Sequence, residues 1–273
     1  MDEKEIRKLI EEGREWIRSF NKEYEGYETD QQLKKPQPPL CKAAMREESV
    51  LLPRDFENLE IDNDFLHVIN SRCSHRVYTE ETMSLRQLSY LLWCSQGVKE
   101  IRGKAYATLR TVPCGGARHE FECYMAVQNV EGLTDGLYHY LPMKHAVEKL
   151  SDCEEMRSFI SNSLCGQSWA AKANVVFYYS AVFYRAEWRY GIHAYVPMMM
   201  DAGHITENVY LAATSIHLGG CAIAAVEGRI ADEMFGLDGN EESVFYAMPV
   251  GTISSSDHQK EQDFYAFVKE QGL

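Results

Sequence analysis

Arg72, Ser74 and Arg76 stand at every second position of the run Arg72-Cys73-Ser74-His75-Arg76. In extended chain, successive side chains point to opposite sides, so two guanidinium groups and a hydroxyl face one way and form a cradle for an anion. Arg suits a phosphate better than Lys, because its planar fork gives two parallel charge-assisted hydrogen bonds, each worth about 1.5–3 kcal/mol. Read by itself, the triplet also fits an exposed basic edge held in water. Further on, Arg110-Thr111-Val112-Pro113-Cys114-Gly115-Gly116-Ala117 is a glycine-rich turn. Backbone there can approach a flat ligand without Cβ clashes, or simply close an ordinary loop. A metal centre on Cys73, His75 and Cys114 is a weaker reading, since the Cys73-Ser74-His75 spacing has no matching second half.

The whole chain narrows the anion. With 273 residues, 45% hydrophobic and 11% aromatic, there is enough apolar material for a sizeable core. A formal net charge of −13 repels polyanions, which argues against nucleic acid and for a small ligand captured by a local group of arginines. The 8 cysteines are scattered without a Cys-x-x-Cys pair and read as free thiols in a reducing compartment. The opening MDEKEIRKLIEEGREW is acidic and amphipathic, unlike a secretory signal. The longest apolar stretch, over 175–184, falls short of the ~18 residues of a membrane span. The expectation is a soluble, cytoplasmic protein with no membrane partner.

The elements that must position these residues follow from periodicity and caps. Ile6, Leu9, Ile10, Trp16, Ile17 and Phe20 predict a helix over 3–20, its stripe facing the body of the protein or a partner. Pro36, Pro38, Pro39 and Pro53 make residues 21–58 an extended arm. Residues 1–58 are thus a helix and arm packed on one domain, 59–273. Ser84 caps a helix carrying Leu85, Leu88, Leu91 and Leu92, with Gly97 at its end. Phe121, Tyr124 and Ala126 alternate with polar residues and, with the turn pair Asp135-Gly136, predict a hairpin. Helices are expected over 154–171, 197–218 (ended by Gly219-Gly220) and 229–235, with buried strands over 174–184, 221–226 and 243–250. The mixed order favours an α+β fold with a largely antiparallel sheet.

Together with the stretches 131–140 and Asp201-Ala-Gly-His-Ile-Thr-Glu-Asn-Val-Tyr-Leu-Ala-Ala213, the two motifs arrive in an order that resembles the nitroreductase family, specifically its SagB-type dehydrogenase branch. The resemblance runs over about residues 50–251. It implies a central mixed, largely antiparallel sheet flanked by helices, in an interlocked homodimer that binds two FMN molecules at the subunit interface. Arg72, Ser74 and Arg76 match an Arg-x-Ser-x-Arg pattern that holds the phosphate and ribityl. Pro113, Cys114, Gly115, Gly116 and Ala117 match a Pro-Ser-Ala-Gly-Ala turn that lines the flavin of the other subunit, with Cys114 in place of Ser. Gln167 falls where the family places an amide against the pyrimidine edge. The run through Ala224, Ala225 and Val226 falls where backbone passes flavin N5. Without the resemblance, Gln167 is a surface amide and the run a buried strand.

Two departures bear on chemistry. Beyond the last core strand the family uses a basic residue on the phosphate, and here the first cation is Lys260. In Trp188-Arg189-Tyr190, Arg189 stands where the branch that makes azoles from peptide azolines carries the Lys of a Lys-Tyr pair. Arg stays protonated and acts as a donor rather than a base, leaving Arg189 to steady negative charge and Tyr190 to give a proton. No Gly-x-Gly-x-x-Gly follows a strand, so a nicotinamide donor visits rather than resides. The expected activity is FMN-dependent transfer of hydride to or from a small nitro, quinone or heterocyclic compound, with NAD(P)H or another donor. The alternative is a flavin-binding member without NAD(P)H turnover.

Overall fold

In the computed structural model, which describes residues 1–254, 259, 263 and 266–272, a seven-stranded sheet runs through the centre of the chain. Helix α1 (Glu3–Ser19) opens on a reciprocal capping box between Asp2 and Glu5. Extended chain then leads to the short edge strand β1 (Val50–Leu51), α2 (Phe65–Ser71) and α3 (Leu85–Gln96). A separate hairpin, β2 (Val98–Arg102) and β3 (Ala107–Arg110), precedes β4 (Phe121–Val127), β5 (Gly136–Leu141) and β6 (Ala146–Ser151). Next come α4 (Met156–Ser163), β7 (Val175–Val182), α5 (Phe183–Tyr190) and α6 (Tyr195–Ser215). Strand β8 (Leu218–Gly220), α7 (Gly228–Phe235) and β9 (Glu242–Thr252) complete the fold. The sheet order is β1-β6-β5-β4-β7-β9-β8 with every strand pair antiparallel; parallel pairing occurs only in isolated bridges such as Ser74 with Gly220.

Both faces of this sheet are covered, which explains why β4 is buried at every residue. Phe121, Cys123 and Met125 pack with Leu88, Leu91 and Leu92 of α3 and Ile205 and Val209 of α6. Tyr124 and Ala126 face the other way, into Phe159 and Ile160 of α4 and Phe235 of α7. Each such large side chain contributes roughly 1.5–3 kcal/mol by leaving water. The polar residues of β4 are therefore not solvent-facing. Glu122 is 0% exposed, paired with Arg185 at 2.6 Å and His139 at 3.3 Å, and it accepts the Lys42 N–H at 2.8 Å. Burial alone would raise its pKa, but Arg185 and His139 hold it below the usual carboxylate range.

Several sequence expectations need correction. The helix expected over 154–171 stops at Ser163, because Cys165 (φ 53) and Gly166 (φ 84) turn left-handed before the 3-10 turn Ser168–Lys172. The helix expected over 197–218 starts earlier and ends at Ser215, and Gly219-Gly220 belong to β8. The run 221–226 is not a strand; only Ile223 bridges, to Ala247. None of the residues of α1 is buried, and its C-terminal end, through Trp16 and Ser19, lines a space shared with Ile192, His193, Tyr195 and Val196. The α3 caps at Ser84 and Gly97 and the β4–β5 hairpin form as expected.

Because Arg185 neutralises a carboxylate sealed under both layers, Arg185→Ala should cost about 3–5 kcal/mol in urea unfolding. The double change Glu122→Gln with Arg185→Met should cost less than that single one, as no charge is left buried.

Candidate functional site

The glycine-rich turn is held against the end of α5. Gly116 is left-handed (φ 56), as is Ala117 (φ 52). A Cβ on Gly116 would lie 2.4 Å from Arg189 Nε and 2.7 Å from the Tyr190 hydroxyl. Turn and pair, read from sequence as separate motifs, are thus one surface. Arg189 donates from one terminal nitrogen to Gln31 Oε1 at 3.2 Å and to the Tyr106 hydroxyl at 3.1 Å, and its guanidinium lies 5.6 Å from the Tyr190 ring.

Beneath the turn lies a buried acidic cluster. Gly115 N–H donates to Asp201 Oδ2 at 2.9 Å, tying the turn to α6. The Cys114 thiol donates to Glu120 Oε2 at 3.3 Å and accepts the His119 N–H at 3.0 Å, so it is turned inward and both donates and accepts, as a hydroxyl would. Burial, then the neighbouring Glu120 and Asp201, push that thiol far up in pKa, which makes it a poor nucleophile. One Sγ and two carboxylate oxygens, from Cys114, Glu120 and Asp201, lie within 4.8 Å of one another, and Glu120 Oε1 is buried without a hydrogen-bond partner. Burial and the Asp201 charge raise the Glu120 pKa to about 7, so the cluster can store a proton. The metal set considered from sequence is not assembled among the described residues: Cys73 Sγ does meet His75 Nε2 at 3.1 Å, but Cys114 groups elsewhere.

The arginine cradle sits where α2 ends and is fastened to β8, with His75 N–H donating to Gly220 O at 2.9 Å. Alternation is realised: Cys73 and His75 meet on one side, while Arg72 and Ser74 meet at Tyr210. The Arg72 guanidinium lies 5.3 Å from the Tyr210 ring, and Ser74 Oγ lies 3.1 Å from its hydroxyl. That hydroxyl also accepts the Ala222 N–H at 2.7 Å. No carboxylate pairs with Arg72 among the described residues. Arg76 is exposed, 5.9 Å from the Trp169 ring, which brings it to the half-buried segment of Gln167. Ala224 and Ala225 are exposed, Val226 N–H turns back to Ala224 O at 3.0 Å, and the Ala225 N–H has no partner among the described residues. Lys260 lies outside the described residues.

A family model described as "Nitroreductase family" matches residues 69–252, about two thirds of the chain. The chain belongs to the nitroreductase family. A protein of Methanocaldococcus jannaschii that carries the nitroreductase name is 31% identical over 197 residues, covering 72% of this chain and 93% of that one. The Microcin B17-processing protein McbC of Escherichia coli is 27% identical over 183 residues, 60% of this chain and 65% of its own. Among solved structures, one of a Ralstonia eutropha chain described as a nitroreductase superposes with a TM-score of 0.63 at 23% identity, covering 81% of this chain and 97% of that one.

Membership makes this an oxidoreductase fold whose members commonly bind a flavin. Within this nitroreductase-family chain, the sequence reading missed Tyr210, Asp201, Glu120, Tyr106 and Gln31. Asp201 and Tyr210 lie inside the 201–213 motif, and an acidic residue directly after the apolar run 196–200 was the available signal for Asp201. Glu120 and Gln31 had no local signal.

The Glu120 shift fixes a sign. A carboxyl with a folded pKa of about 7 against the ordinary glutamate value of 4.5 binds more protons folded than unfolded between those values. Its contribution to stability is fully present below about 4.5 and is lost as pH rises towards about 7. Glu120→Gln should flatten that segment of the stability curve, read from urea midpoints across this pH range.

Proposed function

We propose that this chain is an FMN-dependent oxidoreductase working as a homodimer. The observation that carries this is the disposition of the two half-sites on α6. Asp201, which holds the turn, and Tyr210, which meets the cradle, are nine residues apart, which is about 2.5 turns and roughly 13 Å along the axis. They therefore lie on opposite faces of one helix, so the 113–117 turn and the cradle of a single chain are held on different sides of α6. A two-fold partner resolves this, each site taking the cradle from one subunit and the turn from the other.

The residues fit the cofactor. Arg72, Ser74 and Arg76 supply donors for the phosphate and ribityl, with Lys260 as a further phosphate contact. Gln167 offers donor and acceptor to the pyrimidine edge, and the free Ala225 N–H lies in the 224–226 segment assigned to N5. Pro113, Cys114, Gly115, Gly116 and Ala117 present backbone to the ring. When bound, FMN supplies hydride transfer between NAD(P)H, or another donor, and a small nitro, quinone or heterocyclic acceptor. Arg189 steadies negative charge developing on the acceptor, and Tyr190 gives a proton at its hydroxyl.

The name of the Escherichia coli relative describes processing of microcin B17, and the SagB-type branch is the finer reading of this chain. Against azoline oxidation by a base stands Arg189, whose terminal nitrogen already donates to Gln31 and Tyr106, a setting for a permanent cation.

Replacing Arg72 and Arg76 together by Ala should abolish FMN binding in a fluorescence titration while circular dichroism stays native; undiminished affinity removes the assignment. Arg189→Lys and Tyr190→Phe should each lower quinone or nitroaromatic reduction, on the order of 10²-fold for loss of the proton donor. The native protein should not oxidise azoline peptides, and robust turnover of them would contradict the role given to Arg189.

A further inference from the structure

Residues 27–42 lie outside the segment that matches the family, which begins at residue 69, yet part of this stretch packs against α5 and Tyr106 beside the candidate site. Gln31 N–H donates to Trp188 O at 2.8 Å, the Trp188 indole N–H to Lys35 O at 3.1 Å, and the Tyr184 hydroxyl to Asp30 Oδ2 at 2.8 Å. Tyr27 is seated on Gly191, where a Cβ would come within 1.7 Å of its hydroxyl oxygen, and it accepts the Ile192 N–H at 3.0 Å. The chain is thereby strapped along the whole of α5.

What the strap holds is Arg189. Gln31 Nε2 donates to the Tyr106 hydroxyl at 3.1 Å, and Arg189 donates to both residues, closing a three-membered ring of side chains. Arg118 lies behind it, its guanidinium 4.9 Å from the opposite partner Tyr106 and its Nε donating to Gly116 O at 3.0 Å. Neither Arg189 nor Arg118 is paired with a carboxylate among the described residues. Arg118 is buried, so only Arg189 can reach a ligand. In a chain of net charge −13, two unneutralised guanidinium groups make a local positive field beside Tyr190.

We infer that the 27–35 strap, through Gln31 and Tyr106, fixes Arg189 as an anion-accepting subsite, so that acceptors bearing a carboxylate or phosphate are preferred to neutral ones. Gln31 and Tyr106 are positioning residues that act through Arg189. The inference deepens the proposed oxidoreductase reading and rests on its placement of the acceptor at Arg189 and Tyr190.

The test uses the full-length protein and a matched pair, 4-nitrobenzoate and its methyl ester. Equilibrium binding to flavin-free protein and kcat/KM of the FMN-loaded protein are both measured. The carboxylate should be favoured by about tenfold, the low end of one charge-assisted hydrogen bond. Gln31→Glu, which sets a carboxylate against Arg189, should erase that preference both in binding and in kcat/KM. Gln31→Ala should have no further effect in the Arg189→Ala background, whereas independent roles would add. Tyr27→Phe should speed amide hydrogen exchange at Ile192, reporting the strap without any ligand. Equal binding of acid and ester by the native protein, or an unchanged preference in Gln31→Glu, overturns the inference. Absence of turnover with preference intact in binding would instead count against the oxidoreductase reading alone.

Discussion

One helix divides the molecule's chemistry. Helix α6 carries Asp201 near its start and Tyr210 2.5 turns later on the opposite face, each ending in a hydrogen bond to a different motif: Gly115 N–H at 2.9 Å and Ser74 Oγ at 3.1 Å. Helix geometry fixes that spacing, so in this structure the turn and the cradle of one chain meet opposite faces of α6. The rest of the fold serves this arrangement. The sheet buries one side of α6 through Ile205 and Val209, β8 carries the cradle strand, and α5 presses Arg189 and Tyr190 into the turn.

Holding such a site rigid requires charges in the interior, and the chain treats its buried carboxylates in two ways. Glu122 is neutralised by Arg185 and His139, and the arm is tied to it and to Glu148 through the N–H groups of Lys42, Met45 and Arg46. Glu120 is paired with no cation among the described residues and keeps a raised pKa, which suits a group that holds a proton beneath the turn. The Glu122 carboxylate, held below its usual range, contributes stability that is present above that range and lost as pH falls through it, whereas the Glu120 contribution is lost as pH rises towards about 7.

Local signals explain what was legible in the sequence. Ser84 and Gly97 bracket α3 because caps act within one turn of chain, and Asp135-Gly136 marks its hairpin for the same reason. The alternation of Arg72 and Ser74 was readable because extended geometry needs only neighbours. By contrast, the break at Cys165-Gly166 hid inside helical periodicity, and β2, the exposed strand of the β2–β3 hairpin, carries mixed charge rather than an apolar face. Gln31, Tyr106 and Glu120 depend on contacts across the whole chain, which no spacing encodes. Alternation with polar residues marks β4 as a strand, and only the layer of α4 and α7 on its second face shows why Glu122 is sealed.

The division of the site between subunits is tested most directly by mixing inactive halves. Subunits carrying Arg72→Ala with Arg76→Ala are assembled with differently tagged subunits carrying Gly116→Val, and FMN bound to the purified mixed dimer is counted. If each site takes its cradle and turn from different chains, neither parent dimer holds flavin, and the mixed dimer regains one FMN per dimer. A mixed dimer that holds none would show that cradle and turn act within one chain and would contradict the account.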